Sequence, residues 1–424
     1  MPLPVLILHD AKPNRHSINA LIAALETEPA LERLELRQAV GGSQLAQHVA
    51  EVLAAGRRAI VGLSFTTPEL WRTEDLMKQL RHDGPEVLWV AGGPHPTADP
   101  EGTLRLGFDV VVRGEGEATL IELIQAVAAG GDLSGVAGIA YREGPDHVRF
   151  TARRATIDLD AYPPFPLRHR RVGPIEITRG CPFACGFCQT TPLLGGRPRH
   201  RNIELIARYA AEIRRKGACD VRLITPNAFS YGSADGKTLN LPVLESLLAE
   251  LRRTLGDLGR LFFGTFPSEV RPEHVTDATL ELVRRYADND YLVIGAQSGS
   301  QRLLEHCGRG HGVADIFAAV RATLAAGMTP HVDFIFGLPG ETDEDLDATI
   351  GVIRELAAQG AMLHAHTFMP LPQTRFVHEP PGRIRGRLRV VLKELIRGDV
   401  LYGVWHVQER AAKRISRYLR QGEM

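Results

Sequence analysis

Short apolar runs alternate with helical patterns along most of this chain; the alternation breaks off once, at a stretch rich in Pro and Arg, and then restarts. Strands separated by amphipathic helices build parallel sheets with helices on their faces, so this rhythm limits the fold more than any other feature. In the first part, 5–9, 34–37, 59–65, 87–91 and 110–113 read as strands, each followed by an amphipathic stretch such as 17–26 or 120–129. At this length the pattern predicts a flavodoxin-like (Rossmann) α/β domain over 1–130, whose ligands sit beyond the carboxyl ends of the strands. A hairpin around Glu143-Gly144-Pro145-Asp146 and a linker at 159–171, stiffened by Pro163, Pro164 and Pro166, occupy 131–172. From Gly173 the alternation resumes with strands at 175–178, 221–225, 261–266, 291–296, 331–336 and 362–368 and helices including 203–215 and 243–255. Six units are too few for a complete eightfold barrel, so a partial (β/α)6 barrel of the TIM type is expected over 173–375, with chemistry at its C-terminal strand ends. The remainder, 376–424, reads as a basic helical segment with no further strand.

Composition excludes several classes. The 50 Lys and Arg balance 50 Asp and Glu, which removes any global attraction to nucleic acid, and none is expected as a partner. No run approaches the 18 apolar residues of a membrane span, and the N-terminus has no basic region before its short apolar run, so neither secretion nor a membrane span is expected. Five Cys do not make a disulfide framework, and three of them fall within eight positions. That usage points to a reducing cytoplasm and to a metal or cofactor site.

The unusual residues lie at predicted strand ends. In the first domain these are Ser64-Phe65-Thr66-Thr67-Pro68, Gly92-Gly93-Pro94-His95-Pro96-Thr97 and Arg113-Gly114-Glu115-Gly116-Glu117. Glycines there let backbone approach a ligand, and hydroxyls and amides hold its polar substituents; ordinary strand-to-helix turns use the same residues. In the second domain Cys181, Cys185 and Cys188 follow the first strand in a loop opened by Gly180. Three thiolates at spacings of four and three can hold a cuboidal iron-sulfur cluster and leave one iron open. A structural zinc site is the alternative and needs a fourth ligand, for which His200 or His169 is available.

The CxxxCxxC motif, with Phe187 just before its last cysteine, resembles the signature of radical S-adenosylmethionine enzymes. The resemblance implies a [4Fe-4S] (4Fe-4S) cluster on Cys181, Cys185 and Cys188 as the catalytic and metal site, with S-adenosylmethionine on the fourth iron. Reductive cleavage then gives a 5′-deoxyadenosyl radical. It further implies Phe187 against the adenine. Gly295-Ala296-Gln297-Ser298-Gly299-Ser300 with Arg309, and Asp333-Phe334-Ile335-Phe336-Gly337-Leu338-Pro339-Gly340, resemble the fourth- and fifth-strand motifs, so Gln297, Ser298, Arg309, Ile335 and Gly337 are implied to hold S-adenosylmethionine. The second-strand motif departs: many members have Gly-Gly-Glu where this chain has Thr225-Pro226-Asn227, and Asn227 is the expected substitute for the amino-group contact.

A flavodoxin-like domain before such a barrel is similar to the cobalamin-binding branch of that superfamily. The resemblance assigns cobalamin to Ser64, Thr66, Thr67, Gly92, Gly93, His95, Thr97, Gly114, Glu115 and Glu117. The Asp-x-His-x-x-Gly motif that supplies a histidine to cobalt is absent, and His95 is expected as a side-chain contact or a satisfied loop histidine. Methylthiotransferases share the architecture but need N-domain cysteines for a second cluster, and residues 1–180 contain none. Cys219 and Cys307 are left over, the latter expected to be buried and inert. The implied enzyme is a cytoplasmic cobalamin-dependent methyltransferase acting on an unactivated carbon of a small-molecule or peptide substrate, served by an electron donor such as flavodoxin or ferredoxin. A non-methylating cyclase or rearrangement enzyme, and a cobalamin carrier with a structural cluster, are the alternatives.

Overall fold

The computed structural model describes residues 3–81, 84–144 and 147–421, in two compact units, Met1–Gly173 and Pro174–Met424. In the first, β1 (Val5–His9), β2 (Leu36–Ala39), β3 (Ala59–Ser64), β4 (Val87–Gly92) and β5 (Val110–Val112) form a parallel sheet in the order β2-β1-β3-β4-β5. β1, β3 and β5 are buried along their whole length, as expected of strands covered by helices on both faces. One packing layer brings Leu6 and Leu8 of β1 against Ile18 and Ile22 of helix Arg15–Leu25 and Leu120 and Ile124 of helix Glu117–Ala129.

Two antiparallel strands, β6 (Ile139–Arg142) and β7 (Val148–Phe150), extend the sheet beyond β5 to seven strands. They pair as the expected hairpin does; Pro145 and Asp146, which the sequence reading placed in it, lie outside the described residues. The stretch read as a linker is folded onto this unit. Phe165 is fully buried, the Arg168 and His169 N–H groups donate to Glu26, and the Arg171 guanidinium reaches Asp10 at 2.7 Å. Proline extends the backbone there, but the apolar and basic side chains between the prolines anchor it.

In the second unit, β8 (Ile175–Glu176) is followed by β9 (Thr178–Arg179), which pairs antiparallel with β10 (Arg199–His200). β11 (Asp220–Ile224) and β12 (Arg260–Phe262) join β8 in a parallel sheet ordered β12-β11-β8. β13 (Tyr291–Gln297), β14 (Thr329–Phe336), β15 (Met362–Thr367) and β16 (Leu401–Tyr402) form a second parallel sheet in chain order. A parallel bridge between Val270 and Ile294 joins the chain after β12 to β13, so the two sheets make one open barrel wall.

β16 corrects the reading of 376–424 as free of strands: Leu401 and Tyr402 pair with Leu363 and His364. Two residues between helices Gly386–Arg397 and Trp405–Gln421 carry no periodicity of their own. Several basic side chains of this segment face acids, with Arg385 on Asp343, Arg387 on Asp347 and Arg389 on Glu409. Trp405 is a packing anchor, buried, with Arg389 over its ring and its carbonyl accepting from the Thr367 hydroxyl. No helix among the described residues is long and apolar enough to cross a membrane.

Candidate active site

A cavity of about 780 Å³ opens inside the second unit. Its lining includes Cys181, Cys185 and Cys188, Asn227, Glu269, Arg271 and Arg309, and a further group from β13 to β16. The cysteine loop leaves β9 through Gly180, whose φ is 93° and where an added Cβ would lie 2.5 Å from the Arg197 carbonyl oxygen, so only glycine fits that turn. Hydrogen bonds then fix the loop at both ends: the Cys181 N–H donates to Gly195 and its carbonyl accepts from the Thr191 hydroxyl, while the Gly186 N–H donates to the Cys307 carbonyl. All three thiols are free. Burial pushes those of Cys181 and Cys188 above the usual range, a cost that a bound cation reverses. The Arg309 guanidinium lies 3.5 Å from Cys185 Sγ, and the Thr190 N–H lies 3.5 Å from Cys188 Sγ. The donor set fits an iron-sulfur cluster: thiolate ligands with N–H groups directed at their sulfurs.

The two histidines considered for zinc are engaged elsewhere. His200 bonds Thr178 Oγ1 at 2.9 Å and the Ser233 carbonyl at 2.8 Å, and His169 bonds Glu26 at 2.8 Å. Neither belongs to the cavity lining.

Beside the cysteines stand two charged groups. Arg309, 4% exposed, donates to the Gly295 carbonyl at 2.6 Å, and its Nε–H has no acceptor. Glu269 is half-buried in the cavity wall, and its desolvation there raises its pKa, with Arg309 pulling the other way and Asp333 adding to the rise. A buried guanidinium with one N–H lacking an acceptor, next to a half-buried carboxylate, is complementary to the carboxylate and ammonium of an amino acid, which fits the methionyl end of S-adenosylmethionine. Arg271 supports both, donating to the Arg309 carbonyl and stacking 3.4 Å over Phe183.

Of the residues assigned from the sequence, the cavity unites the three cysteines, Asn227 and Arg309. The Asn227 amide is already used, its oxygen accepting from the Arg271 N–H at 3.2 Å and its nitrogen lying 2.7 Å from His274 Nδ1. Phe187, Gln297, Ser298, Ile335 and Gly337 are not in the lining. Phe187 and Ile335 pack against the cluster of Cys307, Leu338, Phe368 and Phe376, whereas Gly337 lies under the backbone of Gly382 and Arg383. Ser298 Oγ accepts from the Ser300 N–H. Gln297, at φ 74°, sits where β13 shifts register, and its amide and Glu269 both approach Gly295. Burial drives the Cys307 thiol up to about 12, the condition of an unreactive thiol, while Cys219 is exposed.

Sequence reasoning missed Glu269, Arg271, Asp333, His364 and His366. A signal for the last two was present, since histidines two apart in a strand share one face.

In the first unit a small cleft at the carboxyl ends of β1 and β3 is lined by His9, Asn14, Ser64, Phe65, Glu69 and Arg72; of the rim residues assigned to cobalamin, Ser64 lines it. The sheet order reverses between β1 and β3, so this is its switch point. Gly93 has φ 96°, and a Cβ there would stand 2.7 Å from Ser64 Oγ, a buried hydroxyl without a hydrogen-bond partner. An orphaned hydroxyl on a glycine-lined rim fits a large polar cofactor such as cobalamin. Other rim residues brace the loops. Thr66 and Glu69 form a capping box, Thr97 Oγ1 accepts from the Gly114 N–H, and Glu115 accepts from the Ile157 N–H. Gly92 ends β4, and Glu117 is buried at the start of its helix.

His95 is fully buried, 3.2 Å from the Thr67 hydroxyl and packed on Phe65. Burial lowers its pKa to about 4, against an opposing pull from Asp99. The folded unit therefore binds fewer protons than the unfolded chain between the ordinary histidine value and about 4, and stability falls with acid in that window. Going from pH 8 to pH 5 should cost about 2 kcal/mol through this group. Urea unfolding followed by tryptophan fluorescence measures it, and His95→Gln should flatten the dependence.

Comparison with known proteins gives concordant results. The radical SAM superfamily matches residues 175–353, and the B12 binding domain matches 18–124. An uncharacterised methyltransferase of Pyrococcus horikoshii is 28% identical over 77% of this chain and 70% of its own length. A tRNA-2-methylthio-N(6)-dimethylallyladenosine synthase of Bordetella petrii is 27% identical over 56% of this chain, which spans about half of that relative (49%). In fold, the chain is similar to the radical S-adenosylmethionine methyltransferase TsrM from Kitasatospora setae, solved with cobalamin and a [4Fe-4S] cluster bound, with a TM-score of 0.69 and 19% identity over 89% of this chain and 74% of that one.

Proposed function

Because the chain belongs to the radical SAM superfamily and carries a B12 binding domain ahead of the barrel, we propose that it is a cobalamin-dependent methyltransferase that modifies an unactivated carbon of a small-molecule or peptide substrate. The observation that carries this reading is the joining, in one cavity, of three free thiols with the Glu269 and Arg309 pair. When bound, the cluster supplies the electron that cleaves the sulfonium of S-adenosylmethionine, and cobalamin carries the methyl group.

The chain's own residues hold and orient these groups. Cys181, Cys185 and Cys188 would hold the cluster through three of its irons, leaving one iron for S-adenosylmethionine. Arg309 Nε–H takes the carboxylate of S-adenosylmethionine and Glu269 takes its ammonium; each meets a charge complementary to its own, which offsets the cost of desolvating both. Asn227 fixes the Arg271 backbone that supports them. Gln297, beside Gly295, would hold the ribose, and Phe187, Ser298, Ile335 and Gly337, which stand outside the lining, would back the adenosine side of the site. On the first unit Ser64, Gly92, Gly93, Thr97, Gly114 and Glu117 would contact the cobalamin, while Thr66, Thr67, His95 and Glu115 would hold the rim in shape. Five free cysteines suit a reducing cytoplasm, with flavodoxin or ferredoxin as reductant.

The test uses S-adenosylmethionine labelled in its methyl group. With the substrate present, S-adenosylhomocysteine and 5′-deoxyadenosine should form together, and the product should gain the labelled methyl. Formation of 5′-deoxyadenosine alone, with no label transferred, would replace methylation by a rearrangement or cyclisation.

A further inference from the structure

The cavity has a second wall that the cofactor reading leaves unused. Tyr291, His331, Asp333, His364, His366 and Tyr402 come from four neighbouring strands, β13 to β16, and line it together. Asp333 and His364 are register partners on β14 and β15, and His366 lies two residues further along the same face. The rings form a continuous surface: Tyr402 stacks on His364 with centroids 4.4 Å apart, its hydroxyl meets His331 Nδ1 at 3.0 Å, and Tyr291 lies 4.6 Å from His331. The cavity's guanidinium groups stand elsewhere, Arg271 over Phe183 and Arg309 beside Cys185.

The hydrogen bonds within this wall do not close. Gln408 Oε1 accepts from the Thr367 N–H at 2.9 Å, so its amide nitrogen, 3.1 Å from His366 Nδ1, is the donor in that contact. Neutral His366 therefore carries its proton on Nε2, which points at His364 Nδ1 at 3.2 Å. The same Nδ1 lies 3.0 Å from Asp333 Oδ1. One ring nitrogen cannot both accept from His366 and donate to Asp333, so one of these two contacts goes unmade, and at most one Asp333 oxygen is served by the wall, leaving carboxylate lone pairs for a ligand. The three ligand atoms lie within 4.8 Å of one another, the spacing of a metal site, yet the fixed Gln408 amide keeps the His366 Nε2 lone pair capped by a proton. Burial holds His331 and His366 below the ordinary histidine value, so neither repels a cation at neutral pH.

We propose that this wall selects an organic amine as substrate, seating its ammonium or N–H group on the Asp333 carboxylate and its flat apolar body on the rings of His364, Tyr402, His331 and Tyr291. A carboxylate beside stacked aromatic faces, with no fixed positive charge in the wall, favours cations and rejects anions. The inference rests on the reading of this cavity as the substrate site of a methyltransferase.

Phenethylamine and phenylpropionate share a ring and a two-carbon spacer and differ in charge. Calorimetric titration of the cluster-loaded enzyme, without turnover, should give phenethylamine an affinity at least about tenfold above that of the acid. Asp333→Asn should abolish the preference, and Tyr402→Leu should weaken the amine about fivefold while preserving it. Circular dichroism establishes that both variants fold. Equal or reversed affinities, no measurable binding of the amine, or a preference that survives Asp333→Asn would overturn the proposal. So would one zinc ion retained by the wild type and lost in His364→Ala, since the trio would then be a metal site. Label transfer without charge selectivity sinks this inference alone, whereas selectivity without label transfer sinks methylation alone.

Discussion

Changing Cys181, Cys185 or Cys188 to alanine should remove the iron and lower reductive cleavage of S-adenosylmethionine by at least about a thousandfold, a barrier increase of about 4 kcal/mol. The size follows from the arrangement: three ligands are the minimum that can hold the cluster while leaving one iron open, and the two remaining cysteines cannot replace a lost one. Cys219 is exposed, and Cys307 is packed among Leu338, Phe368 and Phe376. Cys219→Ala and Cys307→Ala should therefore retain iron and cleavage. Iron analysis after anaerobic reconstitution, with 5′-deoxyadenosine measured after dithionite reduction, decides the matter. Stoichiometric zinc with no iron would establish a structural site.

Arg309→Ala should weaken S-adenosylmethionine binding about a hundredfold while leaving the iron in place, because a buried charge-assisted contact is worth about 2 to 3 kcal/mol. The same change removes the positive charge that favours ionised Glu269, so the ammonium subsite is weakened too. Arg309→Lys keeps the charge but loses the planar fork that reaches both the Gly295 carbonyl and the ligand, and should recover little. Glu269→Gln tests the other half, with a loss of about tenfold in affinity and no change in iron. Equilibrium dialysis reads all three. Wild-type affinity in Arg309→Ala would place the carboxylate of S-adenosylmethionine elsewhere.

What the sequence made legible, it did through period and spacing. Strands such as β1 and β3 were visible because a parallel sheet buried on both faces writes itself as an unbroken apolar run. β16 was invisible because two residues have no period, and its place is set by pairing with β15. The cysteines stood out because ligands of one cluster must be close in sequence or be brought there by the fold, and these are close. Glu269 and Arg271 belong to the second case: they sit in a loop after β12 with no motif around them, and the bridge from Val270 to β13, with hydrogen bonds from their own backbone to Asn227 and Ala228, carries them to the cavity. Asn227 shows the converse, a residue at the expected strand end whose amide the fold spends on His274 and Arg271. His364 and His366 were hidden by an ordinary rule, since alternating polar residues in a strand normally mark the face turned to water.

The two walls of the cavity come from different stretches of chain. The side chains that line the cofactor wall lie between Cys181 and Arg309, and most of those that line the opposite wall lie between His331 and Tyr402, with Ile335 and Gly337 outside that lining. Descendants of such a protein can therefore diverge in what they modify by altering one contiguous block of the gene, while the radical-generating block stays under its own selection. A directed-evolution library confined to His331, His364, His366 and Tyr402 would sample new substrates without touching any of the three cysteines proposed to hold the cluster.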